Sequence, residues 1–332
     1  MHIRLGGTLG GETLQRERKL LRGWRRCAPL AFAASSAFVA FAAFSISAAA
    51  QIPEVAWSRT LYATGNVSAL VGAKDAAFAK RALTTDPAGN VYVTGTTHNG
   101  VDTDILVVKY NPLGTIVWRT TANGPARKDD VAYAIAVDGA GNVAVAGAAN
   151  TGSHWDAFVF KLDANGQEVW RQTYDGGVVR DDYAYDVAFA SNGDVIMTGT
   201  VGVVAFGTSS NYLTQRYLAA DGAAIWSQQS DGAGQSVDRP AAMAIDNAGN
   251  VIITGFSTSA SGYLEYLTVK YAGDGTFIAN ARSGAAGLNN IASSIATDSA
   301  GNIHVTGTSF VLGNANYLTI KYDANLMELW QS

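Results

Sequence analysis

The chain has one cysteine, Cys27, and it sits ahead of an apolar run near the N-terminus. Beyond residue 50 disulfide and thiol chemistry are therefore excluded, and stability must come from apolar burial. Four histidines and no further cysteines leave no zinc-spaced ligand set. There is no Gly-x-Ser-x-Gly elbow and no phosphate-cradling Gly-x-x-x-x-Gly-Lys loop past residue 50, so the common hydrolase and nucleotide signatures are missing. Sustained helical periodicity is absent there as well, which argues against a helical fold.

Basic residues are also scarce outside the first 50 positions. Seven of the 23 Lys and Arg lie there (Arg4, Arg16, Arg18, Lys19, Arg22, Arg25, Arg26), against two acids, Glu12 and Glu17. Residues 51–332 then carry 16 basic and 25 acidic residues, a net charge of −9. So acidic a domain makes nucleic acid and anionic membrane surfaces poor partners, because Lys and Arg are what neutralise phosphate. The N-terminal segment itself reads as a secretory signal over 1–50: a positive region, an apolar run from Ala28 to Ala50, and an Ala-Ala-Ala end before Gln51. The protein is then secreted or periplasmic, with no membrane insertion after cleavage. The run is also long enough to span a bilayer, so an N-terminal membrane anchor is the alternative.

What the remainder has is repetition. Gly89-Asn90, Gly141-Asn142, Gly193-Asp194, Gly249-Asn250 and Gly301-Asn302 recur at spacings of 52, 52, 56 and 52 residues. Trp118, Trp170, Trp226 and Trp330 keep the same register, with Ala279 standing in the fourth repeat; so do Lys109, Lys161, Arg216, Lys270 and Lys321. A unit that repeats at this period buries its apolar faces against its neighbours. Within a unit, four short runs rich in β-formers, here called A to D, are bounded by Gly, Asn and Asp. In the second repeat they cover about Val131 to Val137, Asn142 to Ala148, Asp156 to Leu162 and Gln167 to Tyr174. The A–B turn, Asp-x-x-Gly-Asn, is a tight hairpin in which Asp bonds its own backbone and Gly takes positive φ.

The expected fold is all-β, a β-propeller of five four-stranded blades, with repeats at about 82–121, 131–175, 183–230, 240–282 and 291–332. The Trp residues are expected to wedge between blades. One more strand of D type, Pro53 to Tyr62 with Trp57, precedes the first repeat. Either five blades close with that strand spare, or a six-bladed ring lacks strands A, B and C of one blade; unpaired edges in the latter case invite association. Asp86 to Thr97 with Asp104 to Trp118 resembles the bacterial SBBP β-propeller repeat, Asp-x-x-Gly-Asn-x-Tyr-Val-Thr-Gly-x-Thr, then Asp-x-x-Val-x-Lys-Tyr and a strand ending in Trp. The third repeat departs most, with Ala190 at the turn Asp and Asn211 at the strand C Asp. The resemblance implies an exported propeller and no single activity.

Chemistry, if any, is expected where the D–A and B–C loops emerge. The D–A loops carry Asp129, Asp130, Asp181, Asp182 and Asp238, with Asp75 a further equivalent and Asn289-Asn290 in the fifth repeat; strand C begins with Asp104, Asp156, Asn211, Glu265 and Asn316. Oxygen-rich rings suit Ca²⁺, with Asp104, Asp130, Asp156 and Asp182 as candidate ligands. The plainer reading is that the carboxylates solvate loop ends and pair with Arg127, Lys128, Arg180 and Arg239, since no dense Asp-x-Asp-x-Asp loop exists. His98, His154 and Trp155 in the variable B–C loops could contact a glycan, a peptide or a cell-surface partner. His98 and His154 come from neighbouring blades, yet two histidines make no metal site. Tyr212, Tyr266 and Tyr317 recur at one strand position and read as packing. The recurring basic residue of strand C reads as inter-blade pairing, its stem covering apolar surface. A binding scaffold is the first functional expectation. A metal-assisted hydrolase, lyase or lactonase using the same carboxylates is the second, and a quinoprotein-like enzyme, suggested by the Lys161 to Trp170 hairpin, the third.

Overall fold

In the computed structural model the described residues are 81–332, apart from 178–179, 204–208, 233–236, 285–286 and 312. The segment read as a secretory signal, the expected strand with Trp57, and Asp75 lie outside them. Every described residue belongs to one compact unit. No helix among the described residues is long and apolar enough to cross a membrane.

Twenty strands form five antiparallel four-stranded meanders, each pairing in chain order. Blade 1 holds β1 (Leu83–Thr85), β2 (Val91–His98), β3 (Thr103–Tyr110) and β4 (Ile116–Ala122). Blade 2 holds β5 (Asp130–Val137), β6 (Val143–Asn150), β7 (Trp155–Leu162) and β8 (Glu168–Tyr174). Blade 3 holds β9 (Asp181–Phe189), β10 (Val195–Val203), β11 (Asn211–Tyr217) and β12 (Ala224–Ser230). Blade 4 holds β13 (Asp238–Ile245), β14 (Val251–Thr258), β15 (Leu264–Tyr271) and β16 (Phe277–Ser283). Blade 5 holds β17 (Asn290–Thr297), β18 (Ile303–Val311), β19 (Asn314–Tyr322) and β20 (Glu328–Gln331). The architecture is the β-propeller expected from the repeats.

The repeat landmarks explain the local geometry. Asp138 Oδ1 accepts from Asn142 N at 2.8 Å, and Asp86, Asp246 and Asp298 make the same bond to Asn90, Asn250 and Asn302. Where Ala190 replaces the Asp, the backbone bond from Gly193 N to Ala190 O keeps the turn, and Asp194 takes over the side-chain bonding through Arg216 and Ala219 N. A bulge interrupts the A–B pairing in blades 2 to 5. It brings a strand A carbonyl against strand B, so that a Cβ on Gly147 would meet Val131 O at 1.9 Å and one on Gly199 would meet Tyr183 O at 1.7 Å. Only glycine fits there.

The apolar core is divided among the seams between blades. One cluster joins Tyr92, Ile105 and Val107 to Val143, Phe158 and Leu162; others join blades 2 and 3, blades 3 and 4, and blades 4 and 5. Across each seam the strand D Trp lies on the C–D hairpin of the next blade: a Cβ on Gly222 would sit 2.6 Å from Trp170. Trp118, Trp170 and Trp226 also donate through Nε1 to Ala164 O, Ala219 O and Gly273 O at 3.0, 3.2 and 3.0 Å. At the fourth seam Ala279 replaces the Trp, and Leu326 replaces the hairpin glycine, keeping positive φ (63°) and filling the space itself. The strand C cations behave as inter-blade ties: Lys161 and Lys270 Nζ each donate at 2.8 Å to Ala219 O and Ala324 O, and Arg216 donates to Gly273 O at 2.6 Å. Arg81, just ahead of β1, donates to Met243 O at 3.0 Å and lies 3.6 Å from Asp186, which accepts from Met243 N at 2.8 Å. Strands of blades 1, 3 and 4 thereby meet.

Two expectations change in blade 5. Tyr212 and Tyr266 are packing residues, 2% and 0% exposed, but Tyr317 is 92% exposed. Trp330, expected to wedge, is 45% exposed. Among the described residues no next blade covers either.

Candidate functional site at the blade seams

The acidic residues of the D–A loops face into the loops rather than forming a ring. Asp130, Asp182 and Asp238 open strand A, are all but fully buried, and accept backbone N–H groups of their own loops: Gly124 N at 2.6 Å for Asp130, with Gly176 and Gly232 in the same role. Asp182 also accepts from Gly202 N at 2.7 Å. Asn290 occupies the equivalent place in blade 5 and is equally buried. One position earlier, Asp129 Oδ1 accepts from Thr103 N and Asp181 Oδ1 from Trp155 N, both at 2.9 Å, while Asn289 Oδ1 accepts from Leu264 N at 3.0 Å. These groups stitch three of the D–A loops to the B–C loop of the preceding blade. Among the described residues Arg127, Lys128 and Arg180 form no ion pair with them, and Arg239 stacks on Tyr185 at 4.6 Å.

Burial dominates the protonation of these groups. Desolvation pushes Asp130 up to about 6, against the bonds from Gly124 and Asn150, with Asp104 and Asp102 adding repulsion. Desolvation raises Asp182 and Asp238 as well, their backbone bonds only partly opposing it.

One cluster at the seam of blades 2 and 3 has spare ligand capacity. His154 Nε2 lies 2.9 Å from Asp156 Oδ1 and 3.9 Å from Asp175 Oδ2, and the three ligand atoms fall within 4.8 Å of one another. Asp156 is 6% exposed, yet its Oδ1 and the His154 Nε2 do not align as a hydrogen bond and have no other hydrogen-bond partner. The other ring nitrogen, Nδ1, is 2.8 Å from Ser153 Oγ, a contact that can orient the ring. Burial raises Asp156, the His154 charge opposing and Asp175 and Asp182 reinforcing the shift. Two arrangements satisfy such a group: a protonated imidazole between carboxylates, or a cation held by one nitrogen and two oxygens.

The equivalent positions one blade earlier are Asp102, Asp104 and Asn123, with Asp130 alongside. Asn99 Nδ2 donates to Asp102 and, at 3.0 Å, to Asp104 Oδ2, leaving Asp104 Oδ1 and Asn123 Oδ1 buried without a hydrogen-bond partner. A cavity of about 700 Å³ opens beside them, lined by Asn99, Asp102, Asn123, Arg127 and Arg171 among others. At the seam of blades 4 and 5 the pattern is gone: Glu265 pairs with Arg282 at 3.4 Å.

Of the residues anticipated from sequence, His154 and Asp156 are brought together, and Asp182 lies near them. His98 is not paired with His154; its Nδ1 accepts from Gly100 N at 3.0 Å. Trp155 packs beside Tyr133 and Tyr185, filling the blade edge. Asp175 was missed, although its place straight after strand D and before Gly176-Gly177, matching Asn123 and Asp231, is a repeat signal.

No curated protein matches the chain. Among solved structures, the quinohemoprotein alcohol dehydrogenase from Comamonas testosteroni is 15% identical with a TM-score of 0.48, over 77% of this chain and 43% of that one. The chain thus spans less than half the length of that enzyme. BamB from Moraxella catarrhalis (13% identity, TM-score 0.41, 75% and 78% coverage) and the calcium-binding protein regucalcin from Agrobacterium tumefaciens (13%, 0.41, 76% and 74%) are similar to a like degree. Likenesses this loose carry no argument about ligand or activity. Residues 81–100 match the model of the SBBP family, a beta-propeller repeat, which bears out the resemblance drawn from the repeated landmarks.

Proposed function

We propose that the chain is an exported β-propeller binding scaffold that holds a divalent cation at the seam of blades 2 and 3 and recognises a glycan or peptide with the same loop face. The observation that carries this reading is the His154, Asp156 and Asp175 cluster, where a buried imidazole nitrogen and a buried carboxylate oxygen converge without hydrogen-bond partners. The donor set refines the cation: the sequence suggested Ca²⁺, whereas one nitrogen with two carboxylates suits Mn²⁺ or Zn²⁺ at least as well. The neighbouring cavity, with acids, amides and Arg127 and Arg171 on its walls, offers donors and acceptors to a polar ligand. Export rests on the N-terminal pattern.

The test is isothermal titration of the chain with Mn²⁺, Zn²⁺ and Ca²⁺ separately, against Asp156→Asn and His154→Gln. One cation should bind with a stoichiometry near one, and each substitution should weaken it at least about tenfold, because each removes one of three ligands. Equal binding by parent and both variants, or no binding of any of the three, would remove the site.

A further inference from the structure

The outward face of blade 5 repeats the donor set that blade 3 buries (Tyr212, Arg216, Trp226), parts of which blades 1, 2 and 4 bury as well. Tyr212 OH donates to Leu267 O and Tyr266 OH to Leu318 O, both at 3.1 Å and both across a seam. Lys161 and Lys270 donate to carbonyls of the next hairpin, and Trp118, Trp170 and Trp226 donate to the same hairpins while lying on them. Blade 5 carries the same three donors, Tyr317, Lys321 and Trp330. Tyr317 and Trp330 have no bonding partner among the described residues, and Lys321 has only Asp298, at 3.5 Å. Phe310, two residues along β18 from the Thr308 that pairs with Tyr317, is exposed as well. This face is one half of an interface of the kind that blade 3 forms with blade 4.

We propose that the outward face of blade 5 is the docking surface for one further blade of this same repeat type. The occupant's chemistry follows from the four filled seams. It must bring a C–D hairpin with glycine, or a small residue, beneath Trp330; a hairpin carbonyl within reach of Trp330 Nε1 and Lys321 Nζ; and a strand C carbonyl for Tyr317 OH. Blade 4 offers that set to blade 3 through Gly275, Gly273 O and Leu267 O. The proposal is independent of the cation site.

Trp330-Gln331-Ser332 aligns with Trp226-Ser227-Gln228, so a second copy of residues 229–284 joined after Ser332 places another blade 4 in register. Tyrosine nitration mapped by mass spectrometry reads the outcome, with light scattering for mass. In the parent, Tyr317 should react and Tyr266 should not. In the extended chain, Tyr317 should lose at least about tenfold in reactivity, and the appended copy of Tyr266 should become the reactive one. Gly275→Leu in the appended copy alone should restore Tyr317 reactivity, because the side chain occupies the Trp330 seat. Unchanged Tyr317 reactivity in the extended chain would overturn the proposal. So would a parent that dimerises with Tyr317 already protected, since the face would then belong to a second copy.

Discussion

Tyr266 and Tyr317 occupy the same place on successive blades, each followed by Leu-Thr and an aliphatic residue before Lys-Tyr, and one is 0% exposed while the other is 92% exposed. Nothing within the repeat separates them; the difference is the next blade. In a stacked-repeat protein the seam, not the unit, is what is stabilised, so identical residues differ in worth according to what covers them. Trp170 and Trp330 make the same contrast, the first lying over Gly222 and the second 45% exposed.

The sharpest way to break that comparison is to truncate both tryptophans. Trp170→Ala removes a buried ring and its bond to Ala219 O and should cost about 3–5 kcal/mol in denaturant unfolding, whereas Trp330→Ala should cost less than about 1 kcal/mol. Equal losses would mean that the two faces are alike in solution.

The fourth seam offers a finer test, because Ala279 and Leu326 exchange the sizes found elsewhere. Leu326→Gly should destabilise by about 2–4 kcal/mol through the void it leaves, and Ala279→Trp by about 1–3 kcal/mol through overpacking. The double variant rebuilds the Trp-on-Gly seam and should recover at least about 1 kcal/mol relative to the sum of the singles, measured as a double-mutant cycle. Additive losses would show that the two residues do not compensate.

The smallest effect concerns the buried carboxylates that tie the loops. Asp130 titrates near 6 in the folded chain, above the roughly 3.9 of an unfolded aspartate. Between those values the folded state binds more protons, so this group's contribution to stability falls as pH rises from about 4 to about 6 and stays lowered above it. Asp130→Asn, the residue found at Asn290, should flatten that slope and leave the protein about 1–2 kcal/mol more stable at pH 7 than its parent. Parallel stability curves from pH 4 to 8 for the two chains would contradict the assignment.

Much of this was legible in the sequence for a physical reason. The turn Asp, the hairpin glycine, the strand-end Trp and the strand C cation each make one contact that every blade needs, so each recurs. The strands read from the second repeat fall within two residues of β5 to β8. The Ala279 and Leu326 exchange was half visible, as a missing Trp, but its partner lies 47 residues on and needs the seam to reveal it. The candidate site was less legible. Asp130, Asp182 and Asp238 look like ligands by composition, and only backbone geometry shows them bonded to loop N–H groups. His154 has no histidine counterpart in the other repeats, so periodicity could not single it out, and Asp175, although it recurs as Asp231, could be joined to it only by the fold. The exposure of Tyr317 could not be read from the repeat at all, since the stretch that follows it matches the one after Tyr266.

The contrast between covered and bare faces is tested most directly by nitrating the native chain and mapping modified tyrosines. Tyr317 should be modified under native conditions, while Tyr212 and Tyr266 stay unmodified until the protein is unfolded. Protection of Tyr317 equal to that of Tyr266 would contradict the bare face and the one-seam, one-neighbour reading built on it.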